Sequence, residues 1–232
     1  HMIVEGIFTH FAKADEYDKT FTKEQIQKFR KMIAMMEDRG VSIPVKHCSN
    51  SAGIIDLPQA NLNCVRAGIT MYGMYPSEEV QKDKVPLKPA LGLKSFVTYV
   101  KELGPGEEIS YGGTYVTERT MRIATVAVGY GDGYPRSLSN CGYVLICGKR
   151  ARILGRVCMD QLMVDVTDIL EADVDTPVTL IGKDGDEEIT MEHLAELCGG
   201  FHYEMVCDIG KRVPRVYYRG GKVVGTMDCF AE

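Results

Sequence analysis

The chain has 232 residues, of which 45% are hydrophobic and 25% charged, proportions typical of a soluble globular protein with one large domain or two small ones. Its net charge of −5 argues against a nucleic-acid or anionic-membrane partner, and no apolar run approaches the roughly 18 residues of a membrane span. The eight cysteines include no C-x-x-C pair and lie mostly in apolar runs, which favours reduced thiols in a cytoplasmic protein over disulfides or a zinc site.

The first third of the chain predicts alternating strands and helices. The stretch IVEGIFTHF predicts a buried strand that begins at Ile3. A helix follows, with Thr22 and Gln25 as a capping box and Gly40 as its stop. Its apolar residues share one face, namely Ile26, Phe29, Ile33 and Met36. The stretches IPVKHCSNSAGII and LNCVRAGITMYG then add a strand, a short helix and a third strand, a βαβαβ order that implies a parallel sheet.

The rest of the chain predicts a linker and a second domain of a different class. The polar segment PSEEVQKDKVPLKP contains three prolines, which is typical of a linker. Short β-branched and aromatic runs follow, separated by turns such as GPGE, GDGYP and GKDGDE, and predict an antiparallel β domain. One helix interrupts it, TMEHLAELCGG, with Thr190 as cap and Gly199 as stop. We expect a first domain over residues 3–85 and a β-barrel-like domain over residues 90–228.

The number of predicted parallel strands is too small for a closed eight-stranded barrel. Three strands would leave both edges of the sheet unpaired. The leading His-Met pair is typical of a cloning remnant. We therefore expect further chain in front of residue 3 in the natural protein.

Polar residues follow the predicted parallel strands at the ends where ligands bind in α/β folds. His10 ends the first strand, His47 and Ser51 follow the second, and Arg66 lies in the third just before Gly68. The SNSAG stretch offers hydroxyl and N–H groups to an anion, most naturally a phosphate. Each residue also has a purely structural explanation, since Ser and Asn cap helices and single histidines often lie satisfied in cores.

In the β domain, the stretch EISYGGTYV sets Tyr111 next to two glycines, which allow a side chain to stand clear of its strand. Other candidates lie in GYGDGYPR and GRVCMDQ: Tyr130, Arg136, Arg156, Met159 and Asp160. Taken singly, each is explained as a turn aromatic, a surface charge or a strand end.

Seven stretches taken together resemble a known family. VEGIFTHFAKADE, HCSNSAG, VRAGITMYG, ISYGGTYV, VGYGDGYPR, GRVCMDQLMVDVTD and RVPRVYY match segments of bacterial alanine racemases in order and at similar spacing, from about Ile3 to Val224. The resemblance implies the C-terminal part of a (β/α)8 TIM barrel, containing its last strands only, followed by an antiparallel β domain. It also implies a homodimeric isomerase that depends on pyridoxal 5′-phosphate and acts on alanine.

The resemblance assigns roles to residues of the first domain. His47 would support Arg66, Arg66 would hydrogen-bond the pyridine nitrogen of the cofactor, and His10 would lie close to the cofactor ring and the catalytic tyrosine. The phosphate would be held by a hydroxyl and two backbone N–H groups, those of Ser51, Gly68 and Ile69.

It assigns further roles in the β domain. Tyr111 would be one of two acid/base groups, Met159 would contact the substrate carboxylate through its backbone N–H, and Tyr130 and Asp160 would belong to the substrate site. The substrate entrance of the family corresponds to Tyr130 together with Asp15, Arg136, Arg156 and Ile209. No metal is implied.

Two departures from the family pattern matter. The Schiff-base lysine of the family lies in a segment such as VVKANAYGHG, and nothing like it occurs in these 232 residues, so we expect the chain to be inactive alone. Lys211 stands where well-known members carry a tyrosine that touches the phosphate, and as a cofactor-binding residue it would pair with the phosphate through its charge while altering the pocket wall. This difference leaves a serine racemase of the vancomycin-resistance type as an alternative. A non-catalytic interaction module on a racemase scaffold is another, whereas cofactor-binding barrels without a β domain are disfavoured by residues 95–224.

Overall fold

The computed structural model describes residues 3–230, so the predicted cloning remnant lies outside the described residues. The chain divides into two compact units, the first ending at Ala90 and the second beginning at Leu91. Within residues 3–230, no helix combines the length and the apolar character needed to cross a membrane.

The first unit contains a small parallel sheet and two helices: β1 (Gly6–Phe8), α1 (Thr20–Glu37), β2 (Val45–His47) and α2 (Ser51–Asp56). The parallel pairing of β1 with β2 is as predicted, with Phe8 opposite His47. The predicted third strand is reduced to one bridge, between His47 and Cys64. The side chain of Asn63 accepts the N–H of Lys46 at 2.8 Å, where a continuing ladder would use a backbone carbonyl.

The start of α1 differs from the predicted capping box. The helix begins at Thr20, and the Thr22 side chain is fully buried. Asp18 accepts hydrogen bonds from the N–H and the hydroxyl of Thr20, at 2.9 and 2.6 Å. The Gln25 amide instead donates to the carbonyl of His10 at 2.7 Å. The predicted end is close to the observed one, since the helix stops at Glu37 and Gly40 follows with a φ of +77°.

Burial in the first unit also departs from expectation. The buried strand predicted from Ile3 begins only at Gly6, and Ile3 and Phe8 are 89% and 62% exposed. Among the described residues, β1 pairs with β2 alone. The predicted linker is partly structural, since Val80 is buried and Gln81 donates its N–H to the Asp56 carboxylate. The core of this unit combines α1, α2 and the following turns, and includes Phe11, Ile26, Phe29, Ile55, Leu57 and Val80.

The second unit is built on antiparallel strands. Their bounds are β3 (Leu93–Leu103), β4 (Glu108–Ile109), β5 (Tyr115–Val116), β6 (Met121–Val126), β7 (Tyr143–Ile146), β8 (Lys149–Leu154), β9 (Leu162–Asp165), β10 (Pro177–Asp184), β11 (Glu187–Ile189), β12 (Arg215–Arg219) and β13 (Lys222–Met227). The main sheet has the order β11-β10-β3-β6-β9-β8-β7, and β10 also pairs with β7. That last pairing closes the sheet into a barrel.

The barrel explains the alternating sequence of the β domain. Side chains that point inward are almost fully buried, among them Val97, Ile123, Val126, Ile146, Ile153, Leu162, Val164 and Leu180. The predicted helix is confirmed as α3 (Met191–Cys198), with Thr190 accepting the N–H of His193 and Gly199 in the left-handed conformation. A second helix, α4 (His202–Asp208), was not predicted, and no side chain caps its start.

Candidate active site

In the first unit, the predicted residues gather around the guanidinium of Arg66. Its Nη1 lies 2.7 Å from Nδ1 of His47, and its Nη2 donates to the carbonyl of Thr9 at 3.0 Å. Nη2 also lies 3.3 Å from Nδ1 of His10. Because arginine only donates, both histidine Nδ1 atoms act as acceptors and neutral rings carry their hydrogen on Nε2. The ring of Phe8 stacks on His47 and lies 5.1 Å from the guanidinium carbon, so the group is held from two sides.

The loop after β1 fixes His10 through its backbone. The Gln25 amide nitrogen donates to the His10 carbonyl, and the Gln25 side-chain oxygen accepts the N–H of Ala12 at 3.4 Å. The His10 ring itself is exposed. The sequence placed Gln25 in a helix cap, whereas its observed role is to hold the loop that presents His10.

A second cluster surrounds the Ser51 hydroxyl, which is almost completely buried. Its Oγ accepts the N–H of Gly68 at 3.1 Å and lies 3.2 Å from the hydroxyl of Thr70. The first hydrogen bond of the 3-10 turn Ile69–Tyr72 runs from the N–H of Met71 to the carbonyl of Gly68. The N–H of Ile69 therefore has no partner within the turn. Ser51, Gly68 and Ile69 are therefore brought together as predicted from the motif order.

Two more residues lie nearby: Asp15 stands apart from these clusters, whereas the Cys48 carbonyl accepts from Nη2 of Arg66 at 3.4 Å. Asp15 is exposed, and its carbonyl accepts the Ser77 hydroxyl at 2.6 Å, while no contact joins it to Arg66 or Ser51 among the described residues. Cys48 is buried under the site and its thiol lies 3.0 Å from the Ala60 carbonyl. Burial raises the pKa of the Cys48 thiol, which keeps it protonated and unreactive.

In the second unit, Tyr111 opens a tight turn between β4 and β5. Its side chain is 72% exposed and makes no hydrogen bond with any residue that the structure describes. Gly112 and Gly113 follow with φ angles of +74° and +53°. A Cβ on Gly112 would lie 3.3 Å from the Arg156 guanidinium, so Arg156 packs directly over this turn.

The loop containing Tyr130 interlocks with the turn containing Met159. Tyr130 donates its N–H to the Cys158 carbonyl at 3.0 Å, and Gly131 donates to the Met159 carbonyl at 2.9 Å. A Cβ on Gly129 would lie 2.1 Å from the Cys158 carbonyl oxygen, so only glycine permits this approach. The N–H of Met159 makes no hydrogen bond within residues 3–230 and is free to bind a ligand.

Arg212 ties these loops together and was not predicted. Its Nε lies 3.0 Å from the Asp132 carboxylate, and its Nη2 donates to Asp160 at 2.6 Å. The Asp160 hydrogen bond and the Asp132 charge raise the pKa of Arg212. Arg212, Asp132 and Asp160 lie in three of the stretches that carry the family resemblance, RVPRVYY, GYGDGYPR and GRVCMDQ, but no local pattern in them indicates that these charges pair.

The remaining predicted residues lie around the same loops. Gly210 donates its N–H to the Asp132 carbonyl, and the carbonyl of Ile209 accepts from the Arg215 guanidinium at 2.8 Å. Lys211 is exposed and has no hydrogen bond or ion pair with any described residue. Arg136 is exposed at a 3-10 turn whose Ser139 hydroxyl accepts the N–H of Val157.

Two family models match the chain, "Alanine racemase, N-terminal domain" over residues 1–76 and "Alanine racemase, C-terminal domain" over residues 90–217. The chain is 50% identical over 214 residues to an alanine racemase of Methanococcus maripaludis, covering 92% of the chain and 57% of that relative. It is 48% identical over 221 residues to one of Clostridium perfringens, covering 95% of the chain and 57% of the relative. The chain thus spans less than three fifths of these relatives.

Solved structures agree with the sequence comparisons. An alanine racemase of Clostridium difficile in complex with cycloserine superposes with a TM-score of 0.92 at 42% identity, covering 98% of the chain and 60% of that structure. The alanine racemase of Bacillus anthracis with bound L-Ala-P also gives 0.92 at 41% identity, covering 97% and 57%. The second unit carries the antiparallel β domain of this fold, and the first unit matches part of its barrel domain. The chain belongs to the alanine racemase family.

Proposed function

We propose that this chain carries the cofactor-holding and proton-transferring residues of an alanine racemase, an isomerase that interconverts L- and D-alanine. The Arg66 cluster is the observation that carries the proposal. A guanidinium fixed by His47 and the Thr9 carbonyl serves a ligand atom that must accept a hydrogen bond and receive no proton. The product would supply D-alanine to a cytoplasmic pathway of cell-wall synthesis.

The residues fit pyridoxal phosphate. The Gly68 N–H donates to Ser51 Oγ at 3.1 Å in this structure, and together with the Ser51 hydroxyl and the Ile69 N–H it would turn to a bound phosphate. Arg66 would donate to the pyridine nitrogen, with His10 near the ring. When bound, the cofactor supplies an electron sink for the α-carbon of an amino acid. Because Arg66 keeps its proton at neutral pH, it would donate a hydrogen bond to the pyridine nitrogen without giving up a proton, which would restrain side reactions.

Tyr111 would carry a proton to or from one face of the substrate α-carbon. Racemisation removes the proton on one face and returns one on the other, so it requires two opposed carriers. The exposed hydroxyl of Tyr111, without a partner of its own among the described residues, suits a group that must reach a substrate. The second carrier is not assigned to a residue of this chain.

The substrate carboxylate would bind at the free N–H of Met159, with Tyr130 and Asp160 in the same pair of loops. Asp15, Arg136, Arg156 and Ile209 would line the entrance to the site. Lys211 would replace a neutral aromatic wall by a mobile positive charge. This substitution changes the shape and charge of the pocket wall, so serine is a second substrate to be tested.

The first unit would correspond to the last βα units of the (β/α)8 barrel. Its two paired strands and one bridge account for three of eight barrel positions. The apolar side chains exposed on β1 support further barrel strands packing there. We also propose that the complete enzyme is a homodimer in which Tyr111 serves the partner's cofactor site.

The experiment measures racemisation by the natural gene product and by the 232-residue chain. Each is incubated with L-alanine or L-serine and pyridoxal phosphate, and the D-enantiomers are separated by chiral chromatography. We expect the gene product to form D-alanine much faster than D-serine, and Arg66→Gln to reduce the rate. The chain alone should be inactive. Faster formation of D-serine would favour the serine alternative, and a folded gene product inactive on both would favour an interaction module.

A further inference from the structure

Within residues 3–230, the position of Tyr111 is fixed by its backbone alone. The ring makes no stacking contact and the hydroxyl no hydrogen bond within residues 3–230, and the side chain is 72% exposed. Side-chain packing within the described residues therefore does not orient the Tyr111 side chain. A proton carrier must nevertheless be held to within a fraction of an ångström of its working position.

The preceding residue, Ser110, has a strained conformation. Its φ is +66° and its ψ is −179°, a region that glycine adopts freely and that other residues adopt only under constraint. The glycines that follow tolerate a positive φ, whereas a serine does not. A strained residue next to a candidate proton carrier requires a force that holds it.

The hydroxyl of Ser110 supplies that force from one side. It donates to the carbonyl of Arg156 at 2.7 Å and lies 3.4 Å from the thiol of Cys158. Arg156 also packs its guanidinium over Gly112 on the other side of Tyr111. The segment after β8 therefore holds the turn at two points that flank Tyr111.

Close packing supplies the constraint from the other side. The preceding residue, Ile109, pairs in β4 and its side chain is buried. Gly155 has a φ of +72°, and a Cβ there would lie 2.5 Å from the Ile109 carbonyl oxygen and 2.7 Å from the Cβ of Ser110. The two segments are in such close contact that Ser110 cannot relax toward the barrel.

We propose that Ser110 is the positioning residue of Tyr111: its hydroxyl, tied to the Arg156 carbonyl, holds the strained backbone that directs the tyrosine outward. This inference rests on the proposed role of Tyr111 in racemisation. It adds a residue whose contribution is made through Tyr111 and not through the substrate.

Two substitutions separate the effect of the Ser110–Arg156 hydrogen bond from the effect of the backbone strain at Ser110. Ser110→Ala removes the hydrogen bond and keeps the strained Cβ, so the turn can leave its position. Ser110→Gly removes both. We expect the thermal midpoint of the 232-residue chain to be higher for Ser110→Gly than for Ser110→Ala, because glycine adopts a φ of +66° without strain. A lower midpoint for the glycine variant would contradict the strain.

The positioning role is tested by a double-mutant cycle with Tyr111→Phe in the natural gene product. Ser110→Ala should reduce kcat about 10-fold to 10²-fold with KM nearly unchanged, as a misplaced catalytic group does. In the Tyr111→Phe background the same substitution should change kcat by less than about twofold, since there is no proton carrier left to misplace. Ser110→Gly should reduce kcat less than Ser110→Ala, because glycine keeps the φ of +66° without strain.

Ser95→Ala is the matched control. Its hydroxyl donates to the carbonyl of Ala127 at 2.8 Å inside the barrel, so the same chemical group is lost away from Tyr111. Its effect on kcat should be small and equal in both backgrounds. An equal loss for Ser110→Ala in both backgrounds, or parental kcat for it, would overturn the inference alone. Parental kcat for Tyr111→Phe, or an inactive gene product, would overturn the proposed function as well.

Discussion

At the scale of single residues, the two units use arginine in the same way. Arg66 contacts two histidines and donates to two backbone carbonyls, and Arg212 pairs with two carboxylates. In each case a planar group with fixed donors joins segments that are distant in sequence. The groups proposed to meet the substrate, in contrast, have no hydrogen-bond partner within residues 3–230, namely the Tyr111 hydroxyl and the Met159 N–H. Fixed supports and free reagents are what a preorganised site requires.

Tyr134 departs from this pattern, and its effect on the free energy of unfolding can be measured. Its side chain is fully buried, its hydroxyl has no hydrogen-bond partner among the described residues, and burial raises its pKa. An unsatisfied buried hydroxyl costs about 1–3 kcal/mol. We expect Tyr134→Phe to leave the free energy of unfolding unchanged or to raise it by about 1 kcal/mol, as measured by denaturant unfolding.

Tyr75→Phe is the control for that substitution. The Tyr75 hydroxyl accepts the N–H of Leu87 at 3.1 Å and lies 3.0 Å from the Val85 carbonyl. Its removal should lower the free energy of unfolding by about 1 kcal/mol. A loss of that size from Tyr134→Phe would mean that the Tyr134 hydroxyl has a partner after all.

At the scale of elements, the predictions failed where a tertiary contact overrides the local pattern. The α3 cap at Thr190 and its stop at Gly199 depend on neighbouring residues, so the sequence contained them. The third parallel strand was wrong because a strand needs a continuous partner ladder, and the Asn63 side chain interrupts it. The capping box was wrong because Gln25 is needed by the His10 loop, a contact across 15 residues.

The same distinction applies to the candidate site. Motif order brought His10, His47 and Arg66 into one prediction, and the observed contacts join all three. Ser110 and Arg212 were missed because a φ angle and an ion pair across 52 residues leave no local pattern. Residues that support a site through tertiary contacts are identified only in the three-dimensional structure.

Arg212 connects two loops of the candidate site, so its replacement should reduce activity. Arg212→Lys keeps the charge and loses the fork that reaches Asp132 and Asp160 together. Because these carboxylates belong to the Tyr130 and Met159 loops, we expect kcat/KM of the natural gene product to fall about 10-fold. Arg150→Lys, which affects an exposed pair with Glu187, should have no effect. Equal rates for both variants would argue against a positioning role for Arg212.

The start of α1 should respond to pH. Hydrogen bonds from Thr20 lower the pKa of Asp18 below its ordinary value of 3.8. A lowered pKa in the folded state stabilises the fold above pH 3.8, and this contribution is lost as the pH falls through the folded-state value. We therefore expect the difference in stability between the parent and Asp18→Asn to be constant from pH 7 to about 5 and to disappear in acid.

Denaturant midpoints of the two chains at each pH provide the measurement. Asp38→Asn serves as control, because the Asp38 carboxylate at the other end of α1 accepts no hydrogen bond from the described residues. A parent-minus-Asp18→Asn difference that does not depend on pH would contradict the capping role of Asp18.

At the scale of the whole molecule, the two units differ in closure. The second unit closes its main sheet through the pairing of β10 with β7, so the barrel strands have partners on both sides. The first unit pairs β1 with β2 and leaves apolar side chains exposed along them. Unpaired parallel strands are stabilised by neighbours, and here the described residues supply few.

Hydrogen exchange of the 232-residue chain tests this difference. We expect slow amides in β3, β6, β9 and β10 and fast amides in β1 and β2, since local opening needs less free energy where fewer contacts are lost. The natural gene product should protect β1 and β2 if further barrel strands pack on them. Equal protection of both units in a chain proven to be monomeric would contradict this account.

The central claim is that Tyr111 moves a proton on one face of the substrate, and Tyr111→Phe in the natural gene product tests it most directly. Loss of an acid/base group typically costs about 10² to 10⁴-fold in rate. In deuterated water, α-proton exchange should fall far more for one enantiomer of alanine than for the other, while cofactor binding is retained. Activity within about threefold of the parent, or an equal fall for both enantiomers, would contradict the claim.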